Sequence, residues 1–393
     1  MTDVILVINA GSTSLKFGVY GAGADRKLPL LLGGGVDGMS TAPHFSAAAP
    51  DGKPIDSHDW GQGKAIDHKT ALSFVVGWVE KHEAGMKVAA AGHRIVLGGE
   101  RYAGPIAVTP DALDYLESLT RMEPSHQAYE VLGARALAED FPGLPQVAVF
   151  DSSFHRTMPE VAQVYALPRE LRDAGVRHWG YHGISYDYIS RQIAQRAPRA
   201  RRVIVGHLGG GASMCALLDG KSMETTMAFA GLTGLPMASR SGDVPADVIF
   251  YLIEQAGYAP KDLESLLYHK SGLLGLSGLS EDMKAIQDSK TPEAKLAFDY
   301  FIYAMQKYAG SYAAVLGGLD ALVFTAGIGE HSAPVRAALC ARLGWLGVKI
   351  DEKANTENAV MISTPESAVS VWVIPTNEDL MIARHTLDIA LPA

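Results

Sequence analysis

Cysteine is nearly absent: Cys215 and Cys340 are the only two, and neither has metal-ligand spacing. That argues against a disulfide-stapled scaffold and a thiolate metal centre, and makes a reducing cytoplasm the expected compartment. Positive charge is also in deficit. With 34 Lys and Arg against 43 Asp and Glu, the net charge of −9 argues against a general nucleic-acid binder and leaves any anion site to local donors. Long apolar runs are missing too. Residues 312–329 come nearest, but they contain Asp320 and several glycines and read as a helix end, a turn and a buried strand, so no membrane span is expected. The start of the chain enters a strand-like run carrying Asp3, so no signal peptide is expected. What is present suits a soluble globular protein. Apolar residues make up 48% and charged residues 20%, and 393 residues exceed one simple core, so two domains are expected.

The most informative stretch is Ile8-Asn9-Ala10-Gly11-Ser12-Thr13-Ser14-Leu15-Lys16, between the apolar runs 4–8 and 17–20. It reads as strand, tight polar turn, strand. Small residues let backbone N–H groups approach an anion, and Ser12, Ser14 and Lys16 add donors, so this is a candidate phosphate cradle on a β-hairpin. Residues 203–218 repeat the pattern, with Gly210 and Ser213 spaced as Gly11 and Ser14. Two such hairpins suggest two related halves closing on a nucleotide.

Strand-like runs at 4–8, 88–91, 146–150, 203–208, 321–325 and 369–374 alternate with helical patterns at 69–83, 111–119, 127–140, 186–196, 247–256, 293–316 and 378–391. This alternation predicts an α/β architecture with mixed or parallel sheets. Residues 33–63 read as short edge strands with turns. A second echo pairs residues 147–153 with 321–327, each a buried strand running into a polar loop. A hinge near 151–155 and a last helix returning to the first domain complete the expected organisation.

Several residues could carry chemistry. Asp151 ends an apolar strand, which aims a carboxylate at a sheet edge, although a solvated loop aspartate is equally compatible. Arg94 follows a strand and could clamp a small carboxylate, or pair with Glu100. Arg240 lies among small residues in MASRSGDV, which suits a guanidinium held against a ligand. His182, before a helix, could be a ligand group, a cap or a core residue. His155 reads as structural. Gly327-Ile328-Gly329-Glu330 fits a turn where a flat ring approaches the backbone, and Glu378 could cap a helix or hold magnesium through water. Together these supply the parts phosphoryl transfer needs. A dinucleotide reading of the glycine run fails, because that run leads into a strand rather than a helix.

The motifs NAGSTSLKF, GHRIVLGGE, FDSSFH, HLGGGAS, SRSGD, KSGLLGLSGLSEDM, FTAGIGE and IPTNEDLMIAR occur in the order and spacing of the acetate kinases, and the sequence resembles that family over nearly its whole length. The family belongs to the acetate and sugar kinase, heat-shock chaperone and actin superfamily. The resemblance implies two α/β domains with duplicated ribonuclease H-like (actin-like ATPase) cores and an interdomain active-site cleft. The expected domains are 1–152 plus 379–393 on the carboxylate side and 153–378 on the nucleotide side. It also implies a cytoplasmic homodimer that transfers phosphate from ATP to acetate, giving ADP and acetyl phosphate, with Mg2+ or alternatively Mn2+.

By position, Asn9 and Glu378 match the family's metal-associated residues. Ser12, Ser14, Lys16, His207, Leu208, Gly209, Gly210 and Gly211 match its nucleotide-contacting segments, as do Asp282, Met283, Lys284, Gly327, Ile328, Gly329, Glu330 and His331. Arg94 matches the carboxylate residue, Asp151 the catalytic aspartate, and His182 with Arg240 the pair that stabilises the transition state. Val96, Ser125, Tyr181 and Ala230 match the acyl pocket. Acetate is already an anionic nucleophile, so these groups would align and neutralise rather than act as a base, and domain closure would exclude water.

The sequence departs from the family at Gly210 (usually Asn), Leu97 and Tyr186 (usually His), Lys284 (usually Arg) and in SGDVPAD. Ser125 and Ala230 are smaller than usual and Tyr181 adds a hydroxyl, so a roomier or more polar pocket that accepts propionate is expected. A pyrophosphate-dependent relative is a further variant, which Gly327 and Ile328 argue against and which Gly210 and Lys284 keep open. A carboxylate-indifferent, actin-like ATPase switch is argued against by Arg94 and Arg240. Arg94→Ala is expected mainly to raise the carboxylate KM.

Overall fold

The two apolar runs at the start become β1 (Thr2–Ala10) and β2 (Leu15–Gly21), an antiparallel hairpin closed by the pair Ala10 and Leu15 around residues 11–14. In this computed structural model, which describes residues 2–82, 86–124 and 126–392, the chain divides into two units. These are Met1–Phe154 with Asn377–Ala393, and His155–Thr376.

In the first unit, β1 and β2 sit in a sheet with β3 (Leu30–Asp37), β4 (His44–Ala48), β5 (Pro54–Asp59), β6 (Met86–Ile95), β7 (Ile106–Ala107) and β8 (Gln146–Phe150). The order is β5-β4-β3-β2-β1-β6-β8-β7, with β1, β6 and β8 mutually parallel and the remaining pairings antiparallel. The glycine-rich region 33–63 is thus a meander extending the sheet. Glycine at 34 is required by close strand approach: a Cβ there would lie 2.1 Å from Ser46 O. Phe17 stacks on Phe45 with ring centroids 5.9 Å apart, and Trp78 of the helix His68–His82 meets both edge-on. The last helix, Glu378–Ala390, packs on β6 and β8 of this unit.

In the second unit, β9 (Arg202–Leu208), β10 (Ala212–Leu218), β11 (Lys221–Thr225), β12 (Ala321–Thr325) and β13 (Ser370–Val373) form a sheet ordered β11-β10-β9-β12-β13. The helix Pro292–Leu316 lays Phe301, Met305, Ala309 and Tyr312 against it. An antiparallel hairpin followed by two parallel strands is the pattern of β3-β2-β1-β6-β8 as well, so the core is duplicated.

The duplication corrects two sequence echoes. β12 adjoins β9 as β6 adjoins β1, so the counterpart of β8 is β13, and the match of 147–153 with 321–327 joined strands of different rank. In the second hairpin the pair Leu208 and Ala212 closes the turn, so Ser213 lies within β10 opposite His207, where Lys16 lies opposite Asn9 in the first. Ser213 is therefore a buried strand residue and not a cradle hydroxyl.

Candidate active site

Parallel register gathers one set of residues in the first unit. Ile8 pairs with His93 and Ile95 with Phe150, so Asn9, Arg94 and Asp151 emerge at the carboxyl ends of neighbouring parallel strands. That is where open α/β sheets place ligands. Arg94 Nη2 lies 2.6 Å from Asp151 Oδ2, and Nη1 lies 3.8 Å from Glu130 Oε1. Asp151, rather than Glu100, is the partner.

The segment after β6 is held by side chains that the sequence reading did not single out. Glu130 Oε2 accepts from Val96 N at 2.7 Å, Gln127 Oε1 from Leu97 N at 3.1 Å, and Ser152 Oγ from Gly98 N at 3.1 Å. Gln127 and Glu130 are fully buried polar residues three apart on the helix Gln127–Asp140, and that placement on an apolar face was the available signal.

Glu378 opens the helix Glu378–Ala390 but is not its cap; Asn377 Oδ1 accepts from Leu380 N at 2.9 Å instead. Glu378 is left to face Arg94, Asp151 and Asp379. Burial works against the Arg94 charge, but Asp151, Glu130 and Glu378 outweigh it and hold its pKa above the ordinary value. Burial, only partly offset by Arg94, pushes the Glu130 carboxyl up to about 7, and it also raises Glu378 and Asp379.

This surplus of carboxylate fits a divalent cation. The donors are hard oxygens, and Asp151 Oδ1 and Glu130 Oε1 are buried without a hydrogen-bond partner. Among the described residues no cluster of three His, Cys, Asp or Glu could hold a metal ion.

One titration follows. Below about 4.5 Glu130 is protonated both folded and unfolded; between about 4.5 and about 7 the unfolded chain ionises first, so this group's contribution to stability is lost as pH rises. Glu130→Gln should flatten the fall of stability with pH in that window, read from urea midpoints. An unaltered slope would refute the assignment.

The second unit gathers a second set around the three-residue turn between β9 and β10. Gly209 N donates to Gly211 O at 3.0 Å, and Ala238 N donates to Gly210 O at 3.1 Å. A Cβ on Gly211 would lie 3.1 Å from Arg240 Nη2 and 3.2 Å from His182 Nε2, so the bare backbone lets both cross the turn. Arg240 Nη1 donates to Gly231 O at 2.5 Å. His182 takes left-handed backbone (φ 59°) and starts its helix at Gly183, ahead of the predicted residue 186. Its ring stacks on His207, 4.1 Å between centroids, and His207 Nδ1 meets Ser185 Oγ at 2.8 Å.

Beside the turn lies a cavity of about 630 Å³ lined by Gly209, Gly210, Asp282, Met283, Lys284, Gly327, Ile328 and His331, among others. Asp282 caps the helix Met283–Asp288, and Lys284 pairs with Asp288 at 2.6 Å. Residues 327–329, expected as a turn, lie in the short helix Ala326–His331, because Ala326 turns β12 into it with φ 62°. Leu208 is buried behind the turn, Gly329 is buried in that helix, and Glu330 Oε1 accepts from Thr376 N at 3.1 Å.

The remaining predicted residues are placed unit by unit. Ser12 and Ser14 lie in the first hairpin turn, and Lys16 lies in β2. Val96 is buried beside Arg94, while Tyr181 is buried with its hydroxyl donating to Phe229 O at 2.7 Å. That bond binds the polar group expected in the acyl pocket to the backbone. Ala230 follows Phe229, and Ser125 lies outside the described residues. His155, buried and bonded to Ser222 Oγ and Tyr181 O, is structural.

The model of the Acetokinase family matches residues 4–384. This chain belongs to the acetokinase family. An acetate kinase of Rhodopseudomonas palustris (strain ATCC BAA-98 / CGA009) is 45% identical over 396 residues, covering 99% of each chain. One of Rhizobium meliloti is 44% identical over 388 residues, covering 98% of each. Among solved structures, a propionate kinase from Francisella tularensis subsp. tularensis SCHU S4 is 34% identical with a TM-score of 0.91, covering 98% of this chain and 100% of that one. The Porphyromonas gingivalis acetate kinase is 33% identical with a TM-score of 0.89, covering 98% and 99%. The α/β fold class expected from the motifs is the fold of these acetokinase structures. No helix among the described residues is long and apolar enough to cross a membrane.

Proposed function

We propose that this acetokinase is an ATP-dependent carboxylate kinase acting on acetate, forming acetyl phosphate and ADP by direct in-line transfer. A carboxylate oxygen attacks the γ-phosphorus as the bond to the β–γ bridging oxygen breaks, and ADP leaves with that electron pair. The observation that carries the reading is the convergence of Arg240 Nη2 and His182 Nε2 on the Gly211 turn. Two donors beside a glycine turn suit the equatorial oxygens of a transferring phosphoryl group, where charge accumulates.

In this reading the nucleotide lies in the cavity lined by Gly209, Gly210, Asp282, Met283, Lys284, Gly327, Ile328 and His331, with His207, Leu208, Gly211, Gly329 and Glu330 shaping its walls. The first hairpin contributes Ser12, Ser14 and Lys16. Arg94, held by Asp151, takes the carboxylate, and Val96, Ser125, Tyr181 and Ala230 bound the acyl group. Asn9 and Glu378 would hold the divalent cation, Mg2+ or Mn2+, which would neutralise phosphate charge. Domain boundaries near residues 152 and 379, a cytoplasmic location and a homodimer belong to the same reading. The helix Ala246–Glu254 exposes Val248, Phe250, Tyr251 and Ile253 around its circumference, apolar surface that a second copy would cover.

A hydroxamate assay across acids and phosphoryl donors tests this. Acetate with ATP should give product and pyrophosphate none. Propionate should retain kcat/KM within about tenfold of acetate, short of the about 10–200-fold that one methylene can cost in a close-fitting pocket. A steeper fall would sink the roomy pocket. ATP hydrolysis indifferent to added carboxylate would sink the kinase reading.

A further inference from the structure

Behind His182 lies a buried pair of hydroxyls. Tyr186, one turn into the helix Gly183–Arg196, is 0% exposed, as is Ser213 of β10. The Tyr186 hydroxyl lies 2.5 Å from Ser213 Oγ, and Ser213 Oγ lies 2.8 Å from His182 Nδ1. The opposite nitrogen of the same ring, Nε2, faces the Gly211 turn beside Arg240. One row of contacts thus runs from a buried phenol to the anion-facing edge of the imidazole.

We propose that Tyr186 is a positioning residue for phosphoryl transfer, acting through Ser213 to hold His182 as its Nε2–H tautomer. The inference rests on the reading of His182 and Arg240 as donors to the transferring group. Ser213 has one proton to give. A phenol is the more acidic hydroxyl, and so the stronger donor and weaker acceptor, which favours Tyr186 O–H donating to Ser213 Oγ and Ser213 O–H donating to His182 Nδ1. Nδ1 then accepts, and the proton of the neutral ring resides on Nε2. The reverse direction would turn an Nε2 lone pair toward the anion. His207, stacked on the ring, restrains its rotation, so tautomer and orientation are set before substrate arrives. A phenol holds the donor direction near neutral pH, whereas an imidazole can donate or accept.

Tyr186→Phe keeps the ring and removes the hydroxyl. With nitrogen-labelled histidine, long-range proton–nitrogen correlation reads the His182 tautomer, its signals assigned by their disappearance in His182→Gln. The wild type should show Nε2–H and Tyr186→Phe a mixture of tautomers, with kcat down about tenfold and KM for ATP and acetate unchanged. Ser213→Ala should release the tautomer as well, and adding Tyr186→Phe to it should cost nothing more, because the hydroxyl relay through Ser213 is already cut. An unaltered tautomer in both variants, or losses that simply add, would overturn the relay. Full kcat in His182→Ala, which removes the donor altogether, would instead overturn the donor reading beneath it, and the two failures are distinguishable.

Discussion

Arg240→Ala should lower kcat for acetyl phosphate formation on the order of 10²–10³-fold, with much smaller changes in KM for ATP and acetate. The split follows from how the side chain is held. Nη1 is tied to Gly231 O at 2.5 Å, and the backbone carbonyl of Arg240 accepts from Met237 N at 3.0 Å. The guanidinium is therefore set before substrate binds, with Nη2 at the Gly211 turn. A donor fixed in advance gains most where charge develops, so its loss appears in kcat. Arg240→Lys should recover little, because an ammonium cannot hold Gly231 O and reach the turn with a planar fork. Steady-state turnover of either variant within about threefold of wild type would remove Arg240 from the site.

Arg94→Ala should damage the fold of the first unit as well as its activity. Its sequence context suggested a ligand clamp whose loss mainly raises the carboxylate KM. The structure adds that Arg94 sits against Asp151, whose side chain is 1% exposed, and close to Glu130 and Glu378. Removing the cation leaves buried carboxylates uncompensated, a cost of about 3–5 kcal/mol for a broken buried pair. The thermal transition of that unit should fall by roughly 6–20 °C. Arg94→Lys should restore most of the stability and leave the carboxylate KM raised, because charge survives while bidentate geometry does not. A transition within about 2 °C of wild type in Arg94→Ala would show that the carboxylates take up protons instead of depending on this cation.

The sheet strands were legible because each is a short apolar run bounded by turn residues. Residues 146–150 and 321–325 were read as β8 and β12 end to end. The helix Gln127–Asp140 is legible with equal accuracy, but the roles of its buried Gln127 and Glu130 are not, since their partners are backbone groups of residues 96 and 97. The echo that singled out Gly210 located a genuine second hairpin. It misplaced Ser213, because the two turns differ by one residue and register depends on where the strands close.

Local pattern alone determined that this chain is a duplicated α/β protein with two glycine turns, and which arginines, histidines and carboxylates were worth watching. Those features depend on neighbours in sequence, through apolar periodicity and turn chemistry. Only the tertiary structure decided their pairings: Arg94 with Asp151 rather than Glu100, Asn377 rather than Glu378 as the helix cap, and Ser213 behind His182. Such pairings join residues brought together by strand register and burial, and low local dielectric makes each one consequential.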